Sequence, residues 1–303
     1  ATTLFQYDAQ DHVVTQTDPK GLNTTYSYDS LGNLTETVGP DTGSTIFSYD
    51  AAGNRNAQMR SDEVTEGFIY DALGRLTNKT YVTSTNNIVY TYDTTQSDCT
   101  TGQGFSVGRL TKITDVTGST RFCYDARGNQ VRKVQTFAGV TLGSSSTFDA
   151  AGQLGTMTYP SGALVTLSRD ANGHILSIAL NPSATAPQVT LVSAATYLPF
   201  GPLSTLTFGN GRMLTHSYDQ NYGIDRDYDS ASTNPLSEDY TLDVAGNVTG
   251  LSEQVGSSTI NRTYTYDGLD RLTAQKNGAT TVEGFTYNST GDRLSKTVGG
   301  TTS

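Results

Sequence analysis

The dipeptide Tyr-Asp returns along this chain at an almost fixed interval, and that periodicity constrains the fold more than any other feature. Tyr7-Asp8, Tyr28-Asp29, Tyr49-Asp50 and Tyr70-Asp71 are each separated by 21 residues. Tyr92-Asp93 follows after 22 and Tyr124-Asp125 after 32. Phe148-Asp149 and Arg169-Asp170 are degenerate copies, at spacings of 24 and 21. After a gap of 49 come Tyr218-Asp219, then Leu242-Asp243, Tyr266-Asp267 and Tyr287-Asn288, which makes 12 recognisable units. A period of this length means that the fold is built by repeating one supersecondary unit.

Each unit reads Tyr-x-Tyr-Asp-x-x-Gly-Asn/Arg-Leu-Thr, most clearly in residues 26–35 and 70–77. Alternating tyrosines make a strand with one aromatic face. Asp-x-x-Gly fits a type I turn, in which Asp bonds the backbone ahead of it and Gly accepts a positive φ. The structural turn pairs are Asp29 with Gly32, Asp50 with Gly53, Asp71 with Gly74, Asp125 with Gly128, Asp149 with Gly152, Asp170 with Gly173 and Asp243 with Gly246. A type I turn followed by a left-handed residue is a standard hairpin connection with a bulge. The structural aromatic positions are Tyr7, Tyr28, Tyr49, Tyr70, Tyr92, Tyr124, Tyr218, Tyr266 and Tyr287. Leu-Thr then starts the return strand, and a second turn closes the period, as at residues 17–21 and 39–43.

Two strands per unit predict roughly 24 strands, and a flat sheet of that size would be on the order of 115 Å wide. Open twisted sheets rarely pass about 10 strands without curling or splitting. The expected fold is all-β: tandem hairpins in a long, curled, spiralling antiparallel sheet, a partial β-shell. No segment carries a sustained helical period. Residues 1–303 read as a single array, with an insertion at 94–106, a turn-rich connector at 181–187 and an irregular corner at 197–211.

Composition agrees. The chain holds 31 Gly, 18 Tyr, 10 Phe and about 50 Thr, which suits strands and turns and carries too many aromatics for disorder. A formal net charge of −10 argues against nucleic acid as a partner. No apolar run is long enough for a membrane-spanning helix, and residues 1–4 show no signal peptide. No cofactor or metal site is predicted: two cysteines exclude zinc-finger chemistry, and no EF-hand or Gly-Gly-x-Gly-x-Asp calcium repeat is present.

The remaining candidates have plain structural readings. The repeated aspartates sit where a turn needs a cap, and no distinctive carboxylate pair suggests a glycosidase. His12, His174 and His216 share no spacing suited to a metal or a triad. No Gly-x-Ser-x-Gly elbow occurs. The tyrosines read as packing on an inward face, with carbohydrate stacking as the alternative. Cys99 and Cys123, 24 residues apart, are candidates for a disulfide, and two unrelated buried thiols are the alternative. The Asn-x-Ser/Thr sequons mostly arise from the repeat itself.

The tandem Tyr-Asp-x-x-Gly-Asn/Arg-Leu-Thr units resemble the Rhs/YD-repeat family along essentially the whole chain. Residues 17–22 and 198–202 (Leu-Pro-Phe-Gly-Pro) also look like its bacterial members. The resemblance implies a hollow β-shell made by a spiralling hairpin strip, as in bacterial polymorphic toxins, the cocoon subunits of insecticidal toxin complexes and teneurins. In the toxins it implies a shell that encloses a C-terminal effector. The self-cleaving Pro-rich junction of such toxins has no counterpart here, so the chain reads as a segment of a longer protein.

Two functional expectations follow. The first is a non-enzymatic shell segment of a secreted or cell-surface protein, whose partners are its own C-terminal effector and neighbouring repeats. The second is an extracellular adhesive or glycan-binding array that self-associates through open sheet edges. A hydrolase is the remote third.

Overall fold

The computed structural model describes residues 2–229, 236–288 and 291–302. Those residues form 27 β-strands and one short 3-10 turn at Ser84–Asn86. The chain divides into two units, Ala1–Gly152 and Gln153–Ser303. Within the first, 13 strands run from Leu4–Tyr7 to Val140–Phe148, each pairing antiparallel with the next. Within the second, 14 strands run from Leu154–Thr158 to Thr301–Thr302 in the same way. Consecutive pairing with short turns needs no crossover, so each strand's ladder is supplied by its chain neighbour.

The register records the repeat. Tyr28 faces Leu34, Tyr49 faces Arg55, Tyr70 faces Leu76 and Tyr266 faces Leu272. In each pair the register shifts just before the tyrosine, at Ser27/Tyr28, Ser48/Tyr49, Ile69/Tyr70 and Thr265/Tyr266. That is the bulge a type I turn plus one left-handed residue inserts. Strand Asn23–Tyr28 alternates between exposed and half-buried positions, with Tyr26 and Tyr28 on the covered side. Phe47 and Phe68 share that tyrosine face, whereas Ile46 and Ile69 point the other way and are exposed.

Very little is fully buried. The apolar core among the described residues is Cys123, Val131, Val134, Val192 and Ala195. The accessible surface is 18111 Å². Two separate globules of half the 32.3 kDa mass would expose only roughly 15,000 Å². Backbone ladders and half-buried side chains therefore hold the strands, rather than a thick interior.

Residues 94–106 contain no strand and lie against the face opposite the tyrosines. A Cys99–Cys123 disulfide, Cα–Cα 5.4 Å, ties this loop to strand Gly118–Tyr124. Arg121 pairs with Asp98, and the Ser106 hydroxyl donates to the Asp93 carbonyl at 2.9 Å. Beneath the loop, Thr111 is fully buried and Cys123 is 2% exposed.

One expectation needs correcting. Residues 197–211 are not an irregular corner: Val189–Tyr197 and Leu203–Phe208 make an ordinary hairpin. Its turn has the backbone bonds of an Asp turn, Leu198 N–H to Pro202 O at 2.9 Å and Gly201 N–H to Leu198 O at 3.1 Å. The aspartate is missing, and Phe200 has a positive φ (71°) where the corresponding residue of the Asp turns does not. This extra hairpin is one reason why the strands exceed the roughly 24 expected from two per recognised unit.

Candidate functional site

The repeated feature is the hairpin end itself. At Asp29 the turn closes through Asp29 N–H to Asn33 O, 2.9 Å, and Gly32 N–H to Asp29 O, 3.1 Å. Gly32 has φ +83°, a region that costs a side-chain-bearing residue about 1–2 kcal/mol. The other six expected turn glycines occupy the same position. Gly53, Gly74, Gly128, Gly152, Gly173 and Gly246 have φ between +73° and +92°. Their N–H groups donate to the carbonyls of Asp50, Asp71, Asp125, Asp149, Asp170 and Asp243 in turn, at 3.0–3.1 Å. The Asp29 carboxylate accepts from the backbone N–H of Leu31 and Asn33 with Oδ1, both at 2.9 Å. Its Oδ2 takes the Asn33 side-chain amide at 2.9 Å. Asp50–Asn54, Asp125–Asn129 and Asp243–Asn247 repeat the arrangement.

This explains why Asn or Arg follows the glycine. Where Arg stands there, its Nε reaches the same oxygen: Arg75 to Asp71 at 2.8 Å and Arg271 to Asp267 at 2.7 Å. Histidine fills the role in two units, His12 Nδ1 against Asp8 and His174 Nδ1 against Asp170, each at 3.0 Å. The repeat pattern shows which residues stand at this position but not that they bond the capping carboxylate. His216, by contrast, pairs across strands with Asp227.

The donors keep the carboxylates ionised. Hydrogen bonds from the Asn side chain hold Asp29, Asp50, Asp125 and Asp243 below the ordinary aspartate range. Asp267 is lowered first by the Arg271 guanidinium and Asp170 first by the His174 side chain. A general acid needs the opposite shift, so these aspartates suit capping and not proton donation.

The second missed contact links units. The Tyr28 hydroxyl donates to Val13 O at 3.1 Å, Tyr49 to Leu34 O at 2.8 Å and Tyr70 to Arg55 O at 2.9 Å. Tyr92 reaches Leu76 O, Tyr124 Leu110 O, Tyr218 Leu203 O, Tyr266 Val248 O and Tyr287 Leu272 O, between 2.7 and 3.0 Å. Every acceptor is the residue that begins the previous unit's return strand. The ring also covers the preceding unit's capping side chain: Arg75 lies 4.4 Å over Tyr92, Arg271 4.7 Å over Tyr287, and His12 stacks on Tyr28 at 4.6 Å. One residue thus closes its own hairpin and grips the hairpin before it. Partial burial raises the hydroxyl pKa of Tyr92, Tyr124, Tyr218 and Tyr266, which keeps the donor proton in place.

Degenerate units keep the logic where their chemistry allows. Arg169, in a tyrosine position, donates Nε to Leu154 O at 3.3 Å, replacing the hydroxyl. Tyr197 is a tyrosine of this kind that lies outside the Tyr-Asp pattern, because Leu198 stands where Asp belongs. Its hydroxyl reaches Ile175 O at 2.9 Å, and its ring stacks on His174 at 4.4 Å. The signal was available: Tyr197 lies 21 residues before Tyr218. Tyr7, in the first strand, is exposed.

Among the described residues no group of three or more His, Cys, Asp or Glu is placed to hold a metal, and no helix is long and apolar enough to cross a membrane.

Fold and site define a class: tandem antiparallel hairpins capped by Asp and fastened unit to unit by tyrosine hydroxyls. The RHS repeat family model matches residues 7–44, and the same Tyr-Asp unit recurs along the rest of the chain. No curated protein matches the sequence. Among solved structures, that of TcdB2-TccC3-Cdc42 is similar at TM-score 0.84 and 18% identity, over 97% of this chain and 17% of that one. That of TcdB2-TccC3 gives TM-score 0.84 and 18% identity, over 98% and 18%. The Photorhabdus luminescens Tc holotoxin pore structure, with TccC3 mutation D651A, gives TM-score 0.81 and 18% identity, over 97% and 17%. The likeness shows the fold, and the chain spans 17–18% of the length of those chains.

Proposed function

We propose that this chain is a non-enzymatic wall segment of a secreted or cell-surface Rhs protein, which helps to enclose a C-terminal effector of the longer molecule. The observation that carries the reading is the tyrosine ladder. At nine tyrosines among the described residues it fastens a hairpin to the one before it through a backbone carbonyl, so a sheet with almost no core holds together over many strands. Backbone acceptors are present in every unit whatever its side chains, so the device extends to any number of hairpins. Residues 1–303 act as one continuous array in this reading, and Tyr-Asp-Gly positions are its structural determinants.

The similarity to structures named for TccC3 supports a shell role and leaves the cargo open. The test is protease protection of the protein purified from its natural source, with peptide mapping by mass spectrometry. Peptides from beyond residue 303 should resist digestion until the repeat region is denatured. If they are cleaved as fast as an exposed tail, or if the native chain ends near Ser303, the enclosure reading fails.

A further inference from the structure

Seven non-glycine residues among those described have positive φ: Asp11, Glu63, Asp93, Ala138, Phe200, Tyr222 and Asp270. Asp visits this region with local help from its side chain, whereas a bulky aromatic there is an outlier with a cost. The two aromatics in the set, Phe200 (φ 71°) and Tyr222 (φ 63°), sit on neighbouring turns. They belong to one construction, because the Tyr222 hydroxyl donates to Pro199 O at 3.0 Å.

Phe200 follows Pro199 at the position of a type II turn that calls for Gly or Asn. Its ring gains no burial in return, being 99% exposed. Tyr222 is 46% exposed. A residue that breaks the local rule without a packing gain marks a functional position.

The surroundings say what for. Phe200, Pro199, Leu198 and Tyr197 wall an open cleft of about 400 Å³ whose other side carries Asp170, Asn172 and His174. The His174 ring is already fixed, stacked on Tyr197 and paired through Nδ1 with Asp170, which leaves Nε2 for a ligand. The Asn172 side-chain amide has no partner among the described residues. An aromatic wall opposite a few oriented polar groups is the make-up of a small-ligand site. The Asp170 carboxylate disfavours an anion. The molecule holds its own control: Asp8, His12 and Tyr28 repeat the stacked pair beside a cleft that has no Phe at its turn.

We infer that the cleft between Phe200 and the His174–Tyr197 stack is a carbohydrate site that takes one ring of a neutral glycan, with Phe200 against the sugar's C–H face and Asn172 and His174 on its hydroxyls. It stands apart from the enclosure reading, since it uses turn residues outside the tyrosine ladder.

The test is saturation-transfer NMR on the full chain with cellotetraose, mannotetraose and chitotetraose at millimolar concentration, together with Phe200→Asn, Asn172→Ala, His174→Ala and His12→Ala. At least one sugar should show transfer to its ring protons. Phe200→Asn should abolish it while Tm stays level or rises, because Asn tolerates the turn better. Asn172→Ala and His174→Ala should each weaken binding at least threefold, and His12→Ala should not change it. No transfer from any of the three sugars, or undiminished transfer in Phe200→Asn, would overturn the proposal. So would a fall in Tm for Phe200→Asn, which would make the ring structural. Concentration-dependent self-association lost in Phe200→Asn would assign the ring to a protein contact and overturn it as well.

Discussion

Tyr124→Phe removes one oxygen and leaves the ring. The lost contact is the 2.7 Å bond to Leu110 O, while Arg109, 5.7 Å from the ring centre, keeps its place. A neutral hydrogen bond contributes about 0.5–1.5 kcal/mol net. The carbonyl left behind is half-buried, so about 1 kcal/mol is the working figure. Tyr49→Phe and Tyr70→Phe strike the same joint at Leu34 O and Arg55 O. Those sites lie about two strand spacings apart, roughly 10 Å, so the losses should add. The triple variant should lose about 3 kcal/mol, which moves a urea midpoint by roughly 1–1.5 M for a slope of 2–3 kcal/mol/M. The natural gap allows the reverse experiment. Phe148 occupies a tyrosine position whose acceptor would be the carbonyl of Gln130, and Phe148→Tyr should stabilise by about 0.5–1 kcal/mol. Equilibrium urea unfolding followed by far-UV circular dichroism measures all of these. A triple variant within about 0.5 kcal/mol of the parent, no more than a single weak hydrogen bond, would refute the ladder as a fastening device.

Three further outcomes follow. Asp29, Asp50, Asp125 and Asp243 titrate below 3.8 when folded, so their contribution is complete above that value and is lost as pH falls through the folded values; Tm should be nearly flat above about pH 5 and drop below about pH 4, read by thermal scans across that range. Reduction of Cys99–Cys123 should destabilise by roughly 3–4 kcal/mol on the chain-entropy account and raise hydrogen exchange in residues 94–106, and unchanged exchange there would show that the loop is held without it. Gly53→Ala, at φ +83° with open space around a new Cβ, should lose about 1–2 kcal/mol by calorimetry from backbone strain alone.

Much of this was legible in the residues. The hairpins, the all-β class and the role of Asp and Gly follow from spacing and turn chemistry, since all the atoms involved lie within five consecutive residues. The Asn/Arg/His position after glycine was visible but unread. Its partner is local, yet its purpose depends on which carboxylate oxygen the backbone leaves vacant. Tyr197 was missed for a related reason: a search for Tyr-Asp discards a tyrosine whose neighbour is Leu198, although the hydroxyl's work needs no aspartate.

What the sequence by itself determined is therefore the unit. Alternation, a turn residue able to cap itself and a glycine at positive φ act over a few residues, and local rules suffice for them. What only the tertiary structure decided is how units join and what lies on them. The Tyr49 hydroxyl meets the Leu34 carbonyl 15 residues back, at 2.8 Å, because strands Leu34–Gly39 and Gly43–Tyr49 pair side by side and the ring spans the one strand spacing between them. No pattern of side chains announces a backbone acceptor, since every residue has one. The loop at 94–106 lies over the face opposite the tyrosines, because Cys123 and Tyr124 are consecutive and a strand points them to opposite sides. Phe200 reads in sequence as an apolar residue in a Pro-Gly turn. Only its backbone angle, its full exposure and the polar side chains across the cleft set it apart.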